Sequence, residues 1–199
     1  DIWWNTNNKY SQAWVVAPVQ TTTCPAVIYV KDAKSGAKAA EIHTAGSGGG
    51  YSSTPVTMYP EGAKAGRLFI GTVTTGHPFT SRPYGMKFWY KYTPYQTDNF
   101  KVEIEIRSGN KVIAGGSYIS EAASSADSEY QEAYINLDYQ GNMEKATDIY
   151  VNILSTTKTS FGSDDLQKAG TIDLTDCATG WTTHLGSRLK IDDLELIYE

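Results

Sequence analysis

Positive charge is scarce and scattered. The chain carries 17 lysines and arginines against 22 acidic residues, a formal charge of −5. No run gathers the basic side chains, so the footprint that grips a phosphate backbone is missing and no nucleic-acid partner is expected. No apolar run is long enough to span a bilayer as a helix, and no signal-peptide pattern opens the chain at Asp1-Ile2-Trp3-Trp4. Direct membrane insertion of this domain is therefore not expected. Only Cys24 and Cys177 are present. Two isolated cysteines make no metal site, because ligating pairs come at short spacing. They are either two free thiols or one disulfide, which would close a loop of about 150 residues and contribute about 5 kcal/mol by chain entropy. Nucleophile elbows, phosphate loops and His-Glu-x-x-His motifs are absent, and His43, His77 and His184 are scattered.

What is present is aromatic and β-prone. There are 14 Tyr and 5 Trp among 199 residues, with Ser and Thr throughout. Such residues fit a pleated, half-exposed surface better than a helix. Helical apolar spacing does not persist over any long window, whereas period-2 alternation recurs. Phe100–Arg107 puts four apolar residues on one face and four charges on the other. Ser108-Gly109-Asn110 then turns the chain into Lys111–Ala114, which reads as a hairpin. Met86–Tyr92 alternates too, with Met86, Phe88, Tyr90 and Tyr92 opposite Lys87, Trp89 and Lys91. Ala133–Tyr139, Asp148–Ile153 and Ser187–Tyr198 follow the same rule, the last with a phase change at Asp192-Asp193 that predicts a bulge. Ala26–Val30, Ala39–Thr44 and Arg67–Val73 complete the predicted strands. Gly46–Gly50, Thr93-Pro94, Gly115-Gly116 and Gly141-Asn142 read as turns. Ser120–Ser128, with a helical turn allowed in it, and Ser155–Leu185 read as long polar surface loops. No repeat or composition shift divides residues 1–199, so one all-β domain is expected: a sandwich or jelly roll of two antiparallel sheets.

A saccharide site needs an exposed ring surrounded by amide, carboxylate or guanidinium groups. Trp89, flanked by Lys87 and Lys91, is the first platform candidate, the alternative being an indole packed under a loop. Glu103, Glu105, Asn136 and Asn152 are candidates for a polar surround on the same sheet, the alternative being a solvated outer face. Arg82, just before the Trp89 strand, offers a rigid fork for a carboxylate or two hydroxyls, or else ties loop carbonyls together. Trp181 sits in a Gly/Thr-rich loop as a further contact candidate. Trp3 and Trp4 cannot both point inward from an extended segment. Asp192 and Asp193 are candidates for a structural calcium, with partners from Asp1 or Asn5–Asn8. No other cofactor is required. Glycoside hydrolysis would need two converging carboxylates, and Glu103 with Glu105 share one face of one strand, a poor arrangement for flanking a bond.

Four segments carry a resemblance: Trp3–Asn8; Gly76–Pro83; Lys87–Pro94, with its Lys-Phe-Trp-Tyr-Lys-Tyr run; and Gly186–Tyr198, with its Ile-Asp-Asp-Leu ending. Together they resemble the carbohydrate-metabolism domain family (PCMD) of Bacteroidetes surface lipoproteins, whose ending is shared with galactose-binding-like jelly rolls and carbohydrate-binding modules. The resemblance spans nearly the whole chain. It implies a jelly-roll fold, a place near glycan uptake and a polysaccharide or glycan partner. It also implies export to the outer-membrane surface or periplasm, a lipid anchor through a removed N-terminal segment, and a neighbouring domain in a longer protein. Non-catalytic carbohydrate binding is the function expected first, and a structural or adhesive surface module is the rival. For the cysteines, the mass added by alkylation with and without prior reduction distinguishes a disulfide from two free thiols.

Overall fold

The computed structural model describes residues 3–8, 13–17, 20–23, 25–51, 57–72, 74–121, 129–161, 165 and 185–198. Cys24, Cys177, Trp181 and Asp1 lie outside these residues, as do residues 122–128 and most of the Ser155–Leu185 stretch. The described chain forms β1 (Trp4–Thr6), β2 (Ala13–Ala17), β3 (Gln20–Thr23), β4 (Val27–Val30), β5 (Ala39–Tyr51), β6 (Thr57–Lys64) and β7 (Arg67–Ile70). There follow β8 (His77–Pro78), β9 (Gly85–Thr93), β10 (Lys101–Ser108), β11 (Lys111–Ile119), β12 (Gln131–Asn136), β13 (Asp148–Leu154) and β14 (Leu185–Ile197).

The strands make two sheets. One has the order β1-β7-β13-β10-β11, with β8 beside β13; the other has the order β12-β9-β14-β5-β2-β3, with β4 and β6 also paired to β5. Every pairing is antiparallel except β2 with β5. Four antiparallel pairs are nested along the chain: β5 with β14, β7 with β13, β9 with β12, and β10 with β11. Successive pairs alternate between the two sheets. A folded-over ribbon of this kind is a jelly roll, as the alternation patterns predict.

Period-2 patterning explains which side chains meet between the sheets. Phe88, Tyr90 and Tyr92 of β9 are buried, and so are Val102, Ile104 and Ile106 of β10 and Ile149, Val151 and Ile153 of β13. Phe100 anchors one end of this core. Its ring lies 4.8 Å from that of Tyr90 and 5.0 Å from that of Tyr92, both edge-on. The Tyr90 hydroxyl meets that of Tyr118 at 2.8 Å and donates to Gln131 Oε1, and the Tyr92 hydroxyl donates to the Ser155 carbonyl. Burial pushes both phenols well above their ordinary range.

Sequence and structure part at some places. Gly46–Gly50, read as a turn, runs inside β5, whose second half carries β6 on one side and β2 on the other. Gly115-Gly116 likewise lies within β11. A Cβ at Gly116 would crowd the Asn136 carbonyl oxygen at 2.5 Å, so glycine here permits a close approach of two backbones rather than a turn. The Gly109-Asn110 turn is present, with Gly109 at φ +59°. The phase change in β14 is also present: pairing with β9 shifts between Asp192 and Glu195, and Asp193 takes φ +48°.

One buried cluster fixes how the chain crosses from one sheet to the other after β9. Asp98, 5% exposed, accepts hydrogen bonds from Thr156 Oγ1 at 2.8 Å, the Asn99 amide at 2.8 Å and Ser187 Oγ at 2.5 Å. Ser187 Oγ in turn accepts from the Tyr95 amide. This ties the β9–β10 connection to β14 and to the segment after β13. Replacing Asp98 by Ala removes a charged acceptor from three donors. It is expected to lower the stability by about 2–3 kcal/mol, read as a shifted midpoint in urea unfolding.

Candidate functional site

The crossover at Asp98 separates the residues expected to surround Trp89. Lys87, Trp89, Lys91 and Asn136 lie on the outer face of the β12-β9-β14 sheet. Glu103, Glu105 and Asn152 lie on the outer face of the other sheet, across the whole thickness of the sandwich. The expectation of one shared face is therefore corrected: β9 and β10 are consecutive in sequence but belong to different sheets.

On the Trp89 face, the registers set up two rows. Glu132, Trp89 and Asp192 stand side by side on β12, β9 and β14, and Tyr134, Lys87 and Glu195 form the next row. Phe88 and Tyr90 point inward, so the alternation carries Trp89 outward, where it is half-buried. The Lys34 ammonium sits 3.9 Å from the centre of its ring. Beside the indole is a recess of about 320 Å³ lined by Lys87, Asp193, Leu194 and Glu195. Lys87 Nζ lies 3.0 Å from Glu195 and 3.9 Å from Glu132, and its pKa is raised mainly by the Glu195 carboxylate.

Tyr134 is the second ring of this face and was missed as a candidate. It is 43% exposed. It leans over Gly85, the residue two positions before Lys87 on β9, and a Cβ at Gly85 would collide with the phenol. Glycine thus lets the ring lie against the sheet, one side covered and one side open. The signal was in the sequence: Tyr134 shares the outward parity of Asn136. Gly85 and Trp89 are four residues apart on one strand, about 13 Å. The two rings flank Lys87, with Glu132, Glu195 and the exposed Asn136 within the same patch.

The strap formed by residues 31–38 closes one side of the patch. Asp32 accepts from Lys91 Nζ at 3.0 Å and from Lys190 Nζ at 2.7 Å, and its main-chain carbonyl accepts from Tyr130. Hydrogen bonds from Lys190 first and Lys91 second hold the Asp32 carboxyl below its ordinary pKa. Asp192 Oδ2 accepts the amides of Lys34 and Ser35, and Asp193 Oδ1 accepts the Ser35 hydroxyl. The carboxylates proposed for calcium thus serve as acceptors for this strap. Of the partners proposed with them, Asn8 pairs with the backbone of Val27 and Asn7 with that of Arg67 and Ala65, while Asp1 lies outside the described residues. Among the described residues no three His, Cys, Asp or Glu side chains come together to hold a metal.

Arg82 also departs from the binding role. Its fork donates to the carbonyls of Glu144 and Asn142, and its guanidinium stacks 4.1 Å from the Tyr139 ring centre. It ties a loop together. Trp3 and Trp4 divide as parity requires: Trp4 packs against the core, and Trp3, 36% exposed, lies over His77.

On the opposite face the named polar residues bond one another. Asn152 donates to Glu103 at 3.0 Å and accepts from Arg67 at 2.6 Å, and Arg67 also reaches the Tyr150 hydroxyl. Lys101 pairs with Glu103, and Arg107 pairs with Glu105 while covering Tyr150. Arg67 covers Phe69. Among the described residues, the rings Phe69 and Tyr150 of this face thus each lie under a guanidinium group. Burial raises the Glu103 pKa, but Lys101 and Asn152 outweigh it and the net shift is downward, the wrong direction for a general acid.

No family model matches the chain, and no curated protein does. Solved structures do match. A family 61 carbohydrate-binding module in complex with β-1,4-galactotriose is 13% identical, over 98% of this chain and 87% of that one, with a TM-score of 0.43. A non-crystalline cellulose specific module of family 28 is 10% identical over 86% and 80%, with a TM-score of 0.44. The family 11 module of the cellulosomal cellulase Lic26A-Cel5E of Clostridium thermocellum is 10% identical over 87% and 81%, with a TM-score of 0.42. Similarity at this level concerns the β-sandwich alone.

The strap's tether has a defined pH dependence. Because the folded pKa of Asp32 lies below the ordinary 3.8, its contribution is present above that value and is lost as pH falls through the folded one. Asp32→Asn is expected to imitate the acid state at neutral pH. Hydrogen exchange at the amides of Lys34 and Ser35 should quicken in the variant, with the exchange of the β10 core amides unchanged.

Proposed function

We propose that this chain is a non-catalytic carbohydrate-binding module that holds a glycan chain across the outer face of β12, β9 and β14. The observation that carries it is the pair of rings on adjacent strands: Trp89, half-buried beside a recess, and Tyr134, lying on Gly85 with one side open. Sugar rings present apolar C–H faces and peripheral hydroxyls. The two rings meet the former, and Lys87, Glu132, Glu195 and Asn136 can bond the latter. The spacing of about 13 Å exceeds one pyranose ring, so an oligosaccharide can touch both rings and a monosaccharide only one. Lys34 guards Trp89 by an exposed cation–π contact worth about 0.5–1 kcal/mol, so a sugar can displace it at little cost.

The resemblance to the PCMD family supports a further reading. The module would then belong to an exported protein of the Bacteroidetes kind, lipid-anchored at the cell surface beside other domains, with a plant or host polysaccharide as partner. Protease treatment of intact cells tests the location, since a surface-anchored protein is digested and a cytoplasmic one is spared.

Affinity electrophoresis against a panel of plant and host polysaccharides tests the binding. At least one should retard the protein. Trp89→Ala and Tyr134→Ala should each weaken that interaction about three- to tenfold, and Glu103→Gln on the opposite face should leave it unchanged. If no polysaccharide retards a correctly folded protein, the proposal fails and the structural or adhesive module takes its place.

A further inference from the structure

A second concavity lies at the side of the sandwich. The sheet of β1 and β7 ends at the three residues of β1, while the facing sheet continues outward through β5 to β4. The inner face of β4 is therefore only partly roofed. Tyr29 shows this directly. It pairs with the inward residue Ala40 and shares the parity of buried Val27, so it belongs to the inner face, yet it is 79% exposed. The space left between the sheets is a cavity of about 580 Å³, walled mainly by apolar groups such as Trp4, Val27, Ala40, Leu68 and Leu194. Volume and lining fall in the range of small-molecule sites.

The polar groups around it are unequal. Asp192 and Asp193 are spent on the amides and hydroxyl of the strap, and Asn8 is spent on the Val27 backbone. Lys38 lies at the mouth, exposed, its ammonium 5.7 Å from the Tyr29 ring centre, with no carboxylate in ion-pair contact among the described residues. An apolar cavity with Lys38 at its rim, in no ion pair among the described residues, is complementary to a molecule with an apolar body and an anionic head. A neutral sugar fits it poorly, because few unspent hydrogen-bonding groups face inward.

We propose that this lateral cavity binds a small anionic amphiphile, its hydrocarbon part between Trp4 and Ala40 and its carboxylate at Lys38. The cavity shares Asp193 and Leu194 with the recess beside Trp89 but does not include the indole, and the proposal does not depend on glycan binding.

Isothermal titration calorimetry of the full chain with decanoate and with 1-decanol, both below aggregation, tests the proposal. Saturable one-to-one binding of decanoate is expected. Lys38→Gln should weaken decanoate about three- to fivefold and leave decanol unchanged, the effect of one exposed ion pair. Ala40→Trp and, from the neighbouring strand β14, Leu194→Trp fill the cavity, and either variant that keeps the wild-type melting curve should lose both ligands. Absence of saturable binding to the wild-type chain overturns the proposal, as does undiminished binding in a folded cavity-filling variant. Equal loss of decanoate and decanol in Lys38→Gln overturns the assignment of the head group. Trp89→Ala should leave decanoate binding intact, which keeps this outcome distinct from that of the glycan experiment.

Discussion

Two sheets pressed face to face bury one side of each strand between them, and the outward display of the candidate site follows from that constraint. Apolar burial contributes about 25 cal/mol for each Å² removed from water, which fixes the register of every inner strand. On β9 the inward places go to Met86, Phe88, Tyr90 and Tyr92, so Lys87, Trp89 and Lys91 must face out. A slip of one residue would bury two ammonium groups and expose three large rings. The indole stands at the surface because its neighbours are needed inside.

The same constraint leaves two outer faces with different characters. On one, charged and amide groups bond one another, and guanidinium groups of Arg67 and Arg107 lie over the rings of Phe69 and Tyr150. On the other, the acids are drawn to the strap and to Lys87, while Tyr134 keeps an open side and an exposed lysine, Lys34, lies over the half-buried Trp89. A ligand that offers C–H faces and hydroxyls gains more from the second surface. Where the sheets differ in width, at β4, the inner face itself is left partly open, and the lateral cavity is the result.

Much of this was legible in the residues. Alternation located β9, β10, β12, β13 and β14, the outward turn of Trp89, the division of Trp3 from Trp4 and the bulge at Asp192-Asp193. The glycine run 46–50 misled because glycine is a turn residue by propensity, while here β2 and β6 hold it in a strand by pairing. Sheet membership could not be read from local pattern: nothing in Thr93–Phe100 states that the chain changes sheets there, since the lock at Asp98 is made with Thr156 and Ser187, far along the chain. Arg82, Asp192 and Asp193 were visible as chemistry but not as geometry: Arg82 and Asp192 bond backbone groups, and Asp193 bonds the Ser35 hydroxyl. Tyr134 was visible as an outward residue and went unnoticed because its platform depends on Gly85 across the strand pair.

The most direct test of the glycan-binding face is a two-dimensional NMR titration that follows the five indole N–H signals, assigned by single Trp→Phe replacements, as a retarding polysaccharide's oligosaccharide is added. The account predicts that the Trp89 signal moves to saturation while those of Trp3 and Trp4 stay in place. A saturating oligosaccharide that leaves Trp89 still and shifts another indole would contradict it.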